Sequence, residues 1–151
     1  MKKPKKSVAK TTAYARKRSR AGLGLFATRV IKKGERILEY TGERMTPDEA
    51  DKRGGQYLFE VTKRITIDGK GRENIGRYIN HACAPNAEAI IEGTRVFVYS
   101  TQAILPGEEI TYDYGKEFFD EYIKPKGCRC IACKPDKITI LERSSSKTLA
   151  R

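Results

Sequence analysis

The sequence predicts a single, mostly β domain flanked by two polar tails. Its apolar residues occur in short alternating runs that Gly, Pro and charged pairs interrupt, which is the pattern of strands in small sheets. Only one segment carries the signals of a well-formed helix start. The chain has 151 residues, which is enough to bury one hydrophobic core, so we expect one catalytic or binding module.

The predicted strands cover residues 23–30, 36–40, 56–62, 64–67, 89–91, 95–100 and 109–112. Turns are expected between them where Gly or Pro interrupts the runs. A helix is expected to begin at Pro47, with Thr46 as its N-cap and Glu49 completing a capping box. A second short helical piece is expected over residues 78–82.

Basic residues are concentrated at the N-terminus. Residues 1–20 contain nine Lys or Arg and neither Asp nor Glu, whereas the other 22 basic residues nearly balance the 19 acidic residues of the chain. We predict a disordered basic arm over residues 1–17 and a flexible C-terminal tail over residues 136–151. A solvated arm is the simplest interpretation. Nonspecific contact with nucleic acid through residues 1–20, a nuclear import signal or a segment that is itself modified are the alternatives.

No segment has the apolar run of a secretory signal or of a membrane span, so we expect a soluble, intracellular protein that does not enter a membrane. In a reducing compartment we expect the four cysteines to be metal ligands or free thiols and not disulfides. Cys128, Cys130 and Cys133 form a CxCxxC cluster, and Cys83 is the remaining cysteine. Four thiolates would make a closed structural zinc site that orders a short segment with little core of its own.

Three further motifs contain candidate ligand-binding residues. Gly22-Leu23-Gly24 begins a GxGxxA pattern, but a basic segment precedes it and a turn follows it, which disfavours a dinucleotide-binding fold. Asn80 precedes His81, the only histidine, and no nucleophile or carboxylate partner supports a hydrolytic triad. These two side chains offer hydrogen-bonding groups suited to an adenine or an amino-acid moiety.

Tyr112 and Tyr114 make up the third motif, because in an extended segment they would lie on the same side. Tyrosines are ordinary strand residues, so packing in an aromatic core is the alternative to a role in catalysis.

In chain order the motifs are GLG (22–24), YLF (57–59), RYINHACAPN (77–86), GEEITYDYG (107–115) and the C-terminal cysteine cluster. Together they closely resemble the SET-domain family of protein lysine methyltransferases, over about residues 18–135. The resemblance implies a fold of several small β-sheets with a C-terminal pseudoknot. It also implies a SET domain over residues 18–115 and a zinc-stapled post-SET segment over residues 116–135.

The resemblance further implies transfer of a methyl group from S-adenosylmethionine to a lysine of a histone or another basic protein. Gly22, Leu23 and Gly24 would contact this cofactor through their backbone, and Asn80 and His81 would hold its amino-acid and adenine parts. Tyr57 would line the channel that joins the cofactor to the substrate lysine. Tyr114 would be the catalytic tyrosine and would also contact the cofactor.

Tyr112 stands where the family carries Phe or Tyr, a position that the resemblance associates with the number of methyl groups added. We therefore expect mainly monomethylation, with dimethylation as the next product. The CxCxxC spacing of the cysteine cluster departs from the CxCx4C spacing of many family members. The sequence also has no pre-SET cysteine cluster, so it does not identify the substrate protein. Expected sites of action are the nucleus and chromatin, the bacterial cytoplasm, or a host cell into which the protein is delivered.

A different class of function is a non-catalytic chromatin or nucleic-acid-binding module. In that case the zinc-stapled fold would be a scaffold and the basic arm would contact phosphates.

Overall fold

The computed structural model describes residues 12–134, which form ten strands and several short helices. The strands are β1 (Tyr14–Ser19), β2 (Gly22–Ala27), β3 (Arg36–Tyr40), β4 (Glu43–Met45), β5 (Leu58–Thr62), β6 (Ile65–Asp68), β7 (Asn80–His81), β8 (Ala87–Glu92), β9 (Arg95–Ser100) and β10 (Glu109–Tyr112). The helices are α1 (Pro47–Arg53) and α2 (Lys116–Phe118), with 3-10 helices at Ile75–Tyr78 and Lys124–Lys126 and a π-helical turn at Phe119–Ile123. The predicted mostly β class is confirmed.

The strands form three small sheets. Their strand orders are β1-β2-β10-β7, β3-β9-β8 and β4-β6-β5. Strand β10 lies inside the first sheet, antiparallel to β2 and parallel to the two-residue β7. The parallel register pairs Asn80 with Thr111 and His81 with Tyr112. Residues that are about 30 positions apart in the sequence are thereby brought side by side. The predicted pseudoknot threading stays a prediction.

Several local predictions are confirmed. Strands β9 and β10 have the predicted bounds, and helix α1 begins with the expected capping box. The Thr46 hydroxyl accepts a hydrogen bond from the Glu49 backbone N–H at 3.3 Å, and the Glu49 carboxylate accepts one from the Thr46 N–H at 3.0 Å. These contacts satisfy donors that the first helical turn leaves without partners.

Two predictions are wrong in part. The basic arm predicted over residues 1–17 is not disordered at residues 14–17, because these residues pair with β2 in a tight hairpin and Tyr14 packs against the core. The helical piece predicted over residues 78–82 ends at Tyr78, because Asn80 and His81 extend to pair with β10. The rest of the predicted arm, residues 1–11, and the tail over 136–151 lie outside the described residues.

The hydrophobic core has a main cluster and a smaller one. The main cluster lies between the first two sheets, and its fully buried members include Leu25, Ile79, Val98, Ile104 and Ile110. The smaller cluster joins Tyr40, Val61, Ile67 and Val96. Within residues 12–134, none of the helices combines the length and apolar character that crossing a bilayer requires.

Candidate functional site

A cleft with a volume of about 1370 Å³ opens between the β1–β2 hairpin, the end of β10 and the C-terminal helical segment. Drug-sized ligands occupy pockets of roughly 300–1,000 Å³, so this cleft has room for a nucleoside-sized ligand and a second group. Seven of the predicted site residues line it, namely Tyr57, Asn80, His81, Tyr112, Tyr114, Cys128 and Cys130. Gly22, Leu23 and Gly24 do not line the cleft, whereas residues 18–21 just before them do.

The Asn80 side chain is held by protein partners on the floor of this site. Its Nδ2 lies 3.0 Å from Ser19 Oγ, 2.9 Å from the Leu23 carbonyl and 2.8 Å from Glu109 Oε1. A Cβ at position 24 would come within 2.4 Å of Glu109 Oε1 and 3.1 Å of Asn80 Nδ2. The absence of a side chain at Gly24 therefore leaves room for the hydrogen bond between Asn80 and Glu109. The side-chain oxygen and the backbone of Asn80 are the groups that it can still offer to a ligand.

Glu109 was not among the predicted site residues, although it lies in the GEEITYDYG motif. Its carboxylate is half-buried, which raises its pKa, while the hydrogen bond from Asn80 and the charge of Arg20 partly oppose the rise. Within residues 12–134, the one side-chain donor to this carboxylate is Asn80 Nδ2. The paired glutamates before Ile110 were the only sequence signal for it.

The imidazole of His81 bridges two parts of the site. Its Nδ1 accepts a hydrogen bond from the Tyr114 backbone N–H at 3.1 Å, and its Nε2 lies 3.5 Å from Cys83 Sγ. Burial lowers the pKa of His81, an effect that Asp113 partly opposes, so the ring is neutral at pH 7. With Nδ1 accepting, the proton sits on Nε2 and points at the sulfur. Both ring nitrogens are thus engaged within the protein, which leaves only the His81 backbone for the predicted cofactor contact.

Tyr112 and Tyr114 meet on one side of the cleft, with ring centroids 5.0 Å apart. The Tyr114 hydroxyl donates a hydrogen bond to the Ile79 carbonyl, and its ring packs edge-on against Phe118 at 4.9 Å. Burial raises the pKa of both tyrosines above the ordinary value for a phenol. Both hydroxyls are therefore neutral at physiological pH, and the Tyr114 oxygen can only accept further hydrogen bonds.

Tyr57 reaches the cleft from the segment before β5. The Arg77 guanidinium lies 4.5 Å from the centroid of its ring, with Nη2 3.4 Å from its hydroxyl. The Tyr57 carbonyl accepts hydrogen bonds from the Tyr40 hydroxyl at 2.7 Å and from the Gly69 N–H at 2.9 Å. The backbone and the phenol ring of Tyr57 are consequently both held by contacts within the protein.

The four cysteines meet at one end of the cleft. Their sulfurs all lie within 4.8 Å of one another, with Cys83 Sγ 3.9 Å from Cys128 Sγ and 3.6 Å from Cys133 Sγ. Four ligands at the Zn–S distance of about 2.3 Å place tetrahedral sulfurs about 3.8 Å apart. The donor set therefore fits a tetrahedral zinc ion, even with the shorter CxCxxC spacing.

The thiol pKa values show why such a cluster suits a cation. Desolvation and the neighbouring thiols raise the pKa of Cys83. Desolvation acts in the same direction on Cys130, but hydrogen bonds from the backbone of Cys83 and Cys133 and from neighbouring thiols outweigh it and lower its pKa to about 6. The Cys130 thiolate forms readily, whereas the pKa values of Cys83 and Cys128 are raised, so the full set of four thiolates needs a bound cation to coexist.

Arg77, Phe118 and Tyr122 were missed as lining residues of the cleft. Phe118 and Tyr122 lie four residues apart on a helical segment that was not predicted. Their ring centroids are 4.8 Å apart, with the rings tilted by 40°. Their i, i+4 spacing was the available signal. Arg77 opens the RYINHACAPN motif, but its stacking on Tyr57 depends on the tertiary fold.

Comparison with known proteins places this geometry in a family. The model of the SET domain matches residues 22–115. The chain is 34% identical over 125 residues to histone-lysine N-methyltransferase trithorax of Drosophila melanogaster, an alignment that covers 75% of this chain and 3% of that protein. It is 41% identical over 105 residues to the H3 lysine-4 specific histone-lysine N-methyltransferase of Schizosaccharomyces pombe, covering 61% of this chain and 11% of that protein.

Histone-lysine N-methyltransferase ASHH3 of Arabidopsis thaliana is 35% identical over 130 residues, which covers 76% of this chain and 35% of that protein. The chain thus spans only a small part of the length of these curated relatives. The family match covers most of the described sheets, from β2 to the end of the GEEITYDYG motif. On this match, the chain belongs to the SET-domain family.

Proposed function

We propose that this protein transfers a methyl group from S-adenosylmethionine to the side-chain amine of a protein lysine. The observation that carries the proposal is the cleft in which the buried Tyr112, the partly buried Tyr114, the Asn80–His81 strand and the four-thiol cluster converge. The names of the similar proteins support a histone as substrate, and we extend the class to other basic proteins. A nucleus- or chromatin-associated protein, or a bacterial one, is compatible with this function.

S-adenosylmethionine would supply an electrophilic methyl group on a positively charged sulfur. We assign its binding to the backbone of residues 18–21, to Asn80 and the His81 backbone, and to the aromatic side chains of Tyr114 and Phe118. Polar and aromatic groups both line the cleft, as an amino-acid moiety and an adenine require.

The chief chemical problem is the protonated state of the substrate lysine. With a reference pKa near 10.4, forming the neutral amine at pH 7 costs about 4.6 kcal/mol. The rings of Tyr57, Tyr112 and Tyr114 would surround the amine with little water, which disfavours its ammonium form. The guanidinium stacked on Tyr57 adds a positive charge near the same wall and acts in the same direction.

Tyr114 would act by positioning and not as a base. Its buried hydroxyl stays protonated because burial raises its pKa, and its proton is donated to the Ile79 carbonyl. The remaining lone pairs of its oxygen can accept a hydrogen bond from the amine or a weak C–H contact from the methyl group. Fixed acceptors of this kind hold reacting groups in line and stabilise the charge that shifts during transfer.

Tyr112 would limit how many methyl groups are added. Its side chain is 8% exposed and packs beside Tyr114, so its hydroxyl occupies space that a methylated amine needs in order to turn. The main product would be monomethyl-lysine, followed by dimethyl-lysine. A zinc ion held by Cys83, Cys128, Cys130 and Cys133 would be structural, since four thiolates leave no open coordination position.

The competing function is a nucleic-acid-binding module without catalysis. It requires that no protein lysine become methylated under any condition. The buried tyrosine pair favours the enzyme, because a scaffold has no need for two hydroxylated rings beside a large cleft.

Methyl transfer is tested by incubating the protein with isotope-labelled S-adenosylmethionine and a panel of histones, basic bacterial proteins and whole lysate, followed by mass-spectrometric mapping. We expect label on lysine side chains. The Tyr114→Phe variant should lose about 100-fold in turnover, the usual scale for one positioned polar group, and should still bind cofactor by calorimetry. Tyr99→Phe removes the same hydroxyl from β9, outside the cleft, and is the control. Unlabelled lysines throughout the panel, or full turnover by Tyr114→Phe, would contradict the proposal.

Product multiplicity is tested with the Tyr112→Phe variant. Removing the hydroxyl makes room for a methylated amine, so the di- and trimethyl fractions should rise in mass spectra taken at matched turnover. Tyr99→Phe should keep the wild-type product ratio. An unchanged ratio in Tyr112→Phe would show that Tyr112 does not control the product.

Metal content is tested by elemental analysis of freshly purified protein. We expect about one equivalent of zinc per chain, and less than about half an equivalent after Cys83→Ser, because the site loses one of its four thiolates. Ala132→Ser adds a hydroxyl to the same loop without removing a ligand and should retain the metal. Wild-type protein with less than about half an equivalent would rule out the four-thiolate site.

A further inference from the structure

On β1 and just after it, several consecutive basic side chains lie close together without acidic partners among residues 12–134. Elsewhere, six exposed basic residues form ion pairs with carboxylates: Arg29 with Glu35, Arg36 with Glu92, Arg53 with Glu43, Lys70 with Asp68, Arg95 with Glu39 and Lys116 with Asp120. On β1 and just after it, Arg16, Lys17, Arg18 and Arg20 are exposed, and no carboxylate within residues 12–134 lies at ion-pair distance from them.

The post-SET segment extends this group of basic residues. Arg20 Nη2 donates a hydrogen bond to the Lys134 carbonyl, which joins the end of β1 to the chain just beyond Cys133. Lys126 and Arg129 are exposed on the same segment and line the same cleft as Arg18 and Arg20. We call this set the basic face, made up of Arg16, Lys17, Arg18, Arg20, Lys126, Arg129 and Lys134.

The backbone of β1 adds further donors. β1 stands at the outer end of its sheet, with β2 as its one partner among the described strands. Its outer edge therefore presents N–H groups, with Arg16 and Arg18 projecting from one side of the sheet and Lys17 from the other. Arg16 also lies 4.9 Å from the centroid of the Tyr78 ring, which holds its charge at the surface.

We propose that the basic face is a binding surface for the phosphate backbone of duplex nucleic acid. Phosphate contacts come from Arg, Lys and backbone N–H groups, which are the groups that β1 presents together. Contacts to phosphates carry no direct sequence information, so binding through this surface is expected to be independent of base sequence.

Two observations favour a polyanion over an acidic peptide beside the target lysine. The basic residues of β1 extend beyond the cleft, because Arg16 and Lys17 do not line it. The eleven residues before the described chain contain five more lysines and no acidic residue. A peptide in the cleft would meet only its rim, whereas a duplex would meet the full basic face.

The proposed function, on which this part of the inference rests, places a basic substrate beside a basic cleft. Duplex binding removes the resulting charge repulsion. Arg18, Arg20, Lys126 and Arg129 line the cleft together with only two acidic residues, Glu108 and Glu109. A free basic peptide is repelled by such a rim. A basic protein already seated on nucleic acid shares the same phosphates with the enzyme, which neutralise the repulsion.

The test measures binding alone, so its failure is distinguishable from failure of methyl transfer. The affinity of the full chain for a fluorescently labelled DNA duplex is measured by anisotropy over a series of NaCl concentrations. Each lost phosphate contact reduces the slope of log K against log salt by about 0.9, so Arg16→Gln with Lys17→Gln should reduce it by about 1.8. Neither residue lines the cleft.

The matched control is Lys63→Gln with Arg64→Gln, in the hairpin between β5 and β6. It removes one lysine and one arginine, both exposed, from a surface outside the basic face, and its slope should stay at the wild-type value. Because Arg16 contacts Tyr78, Lys17→Gln alone is a second variant with an expected reduction of about 0.9. Equal slopes in the two double variants, absence of duplex binding, or equal competition by poly-glutamate of matched charge would overturn the proposal.

Discussion

The buried imidazole of His81 accepts a hydrogen bond from the Tyr114 backbone and directs its other nitrogen at the Cys83 sulfur. Its side chain is only 6% exposed, and its ring also packs against the rings of Tyr114 and Phe119 at 5.5 and 5.4 Å. One neutral ring thus contacts Tyr114 just beyond β10, the start of the π-helical turn at Phe119 and the thiol of Cys83. Because the ring is neutral at pH 7, these contacts do not depend on a charge that physiological changes of pH would remove.

The sheet explains why this contact can form. Pairing of β7 with β10 places His81 opposite Tyr112, and the Asn86 side chain secures the same strand by accepting from the Thr111 N–H at 2.9 Å and donating to the Glu109 carbonyl at 2.8 Å. On the other side of β10, the absence of a Cβ at Gly24 lets Glu109 approach Asn80. The cleft is therefore formed where strands from distant parts of the sequence meet, and the cysteines close the end of it that these strands leave open.

Local chemistry made several features predictable from the sequence. The capping box of α1 and the bounds of β9 and β10 depend on turn residues and alternation, which can be read locally. The convergence of Cys83 with the C-terminal cysteines was predictable from the number of ligands that zinc needs. Features decided by tertiary contacts could not be read in this way. Residues 14–17 looked like part of a solvated arm but form an edge strand, and Asn80 and His81 looked helical but pair with a strand about 30 residues later. The protein partners of the His81 nitrogens and the stacking of Arg77 on Tyr57 likewise arise only once the chain has folded.

Coupling between the thiol cluster and the cleft is tested most directly by calorimetry with S-adenosylhomocysteine, the demethylated form of the proposed cofactor. Affinity is measured for metal-loaded protein, for chelator-stripped protein whose strands persist by circular dichroism, and for metal-loaded His81→Ala. Since His81 links the cluster to Tyr114, both changes should weaken binding about tenfold or more, within the usual range of coupling between sites. Equal affinity in all three proteins would contradict the account, because the metal cluster and the cofactor cleft would then be independent of each other.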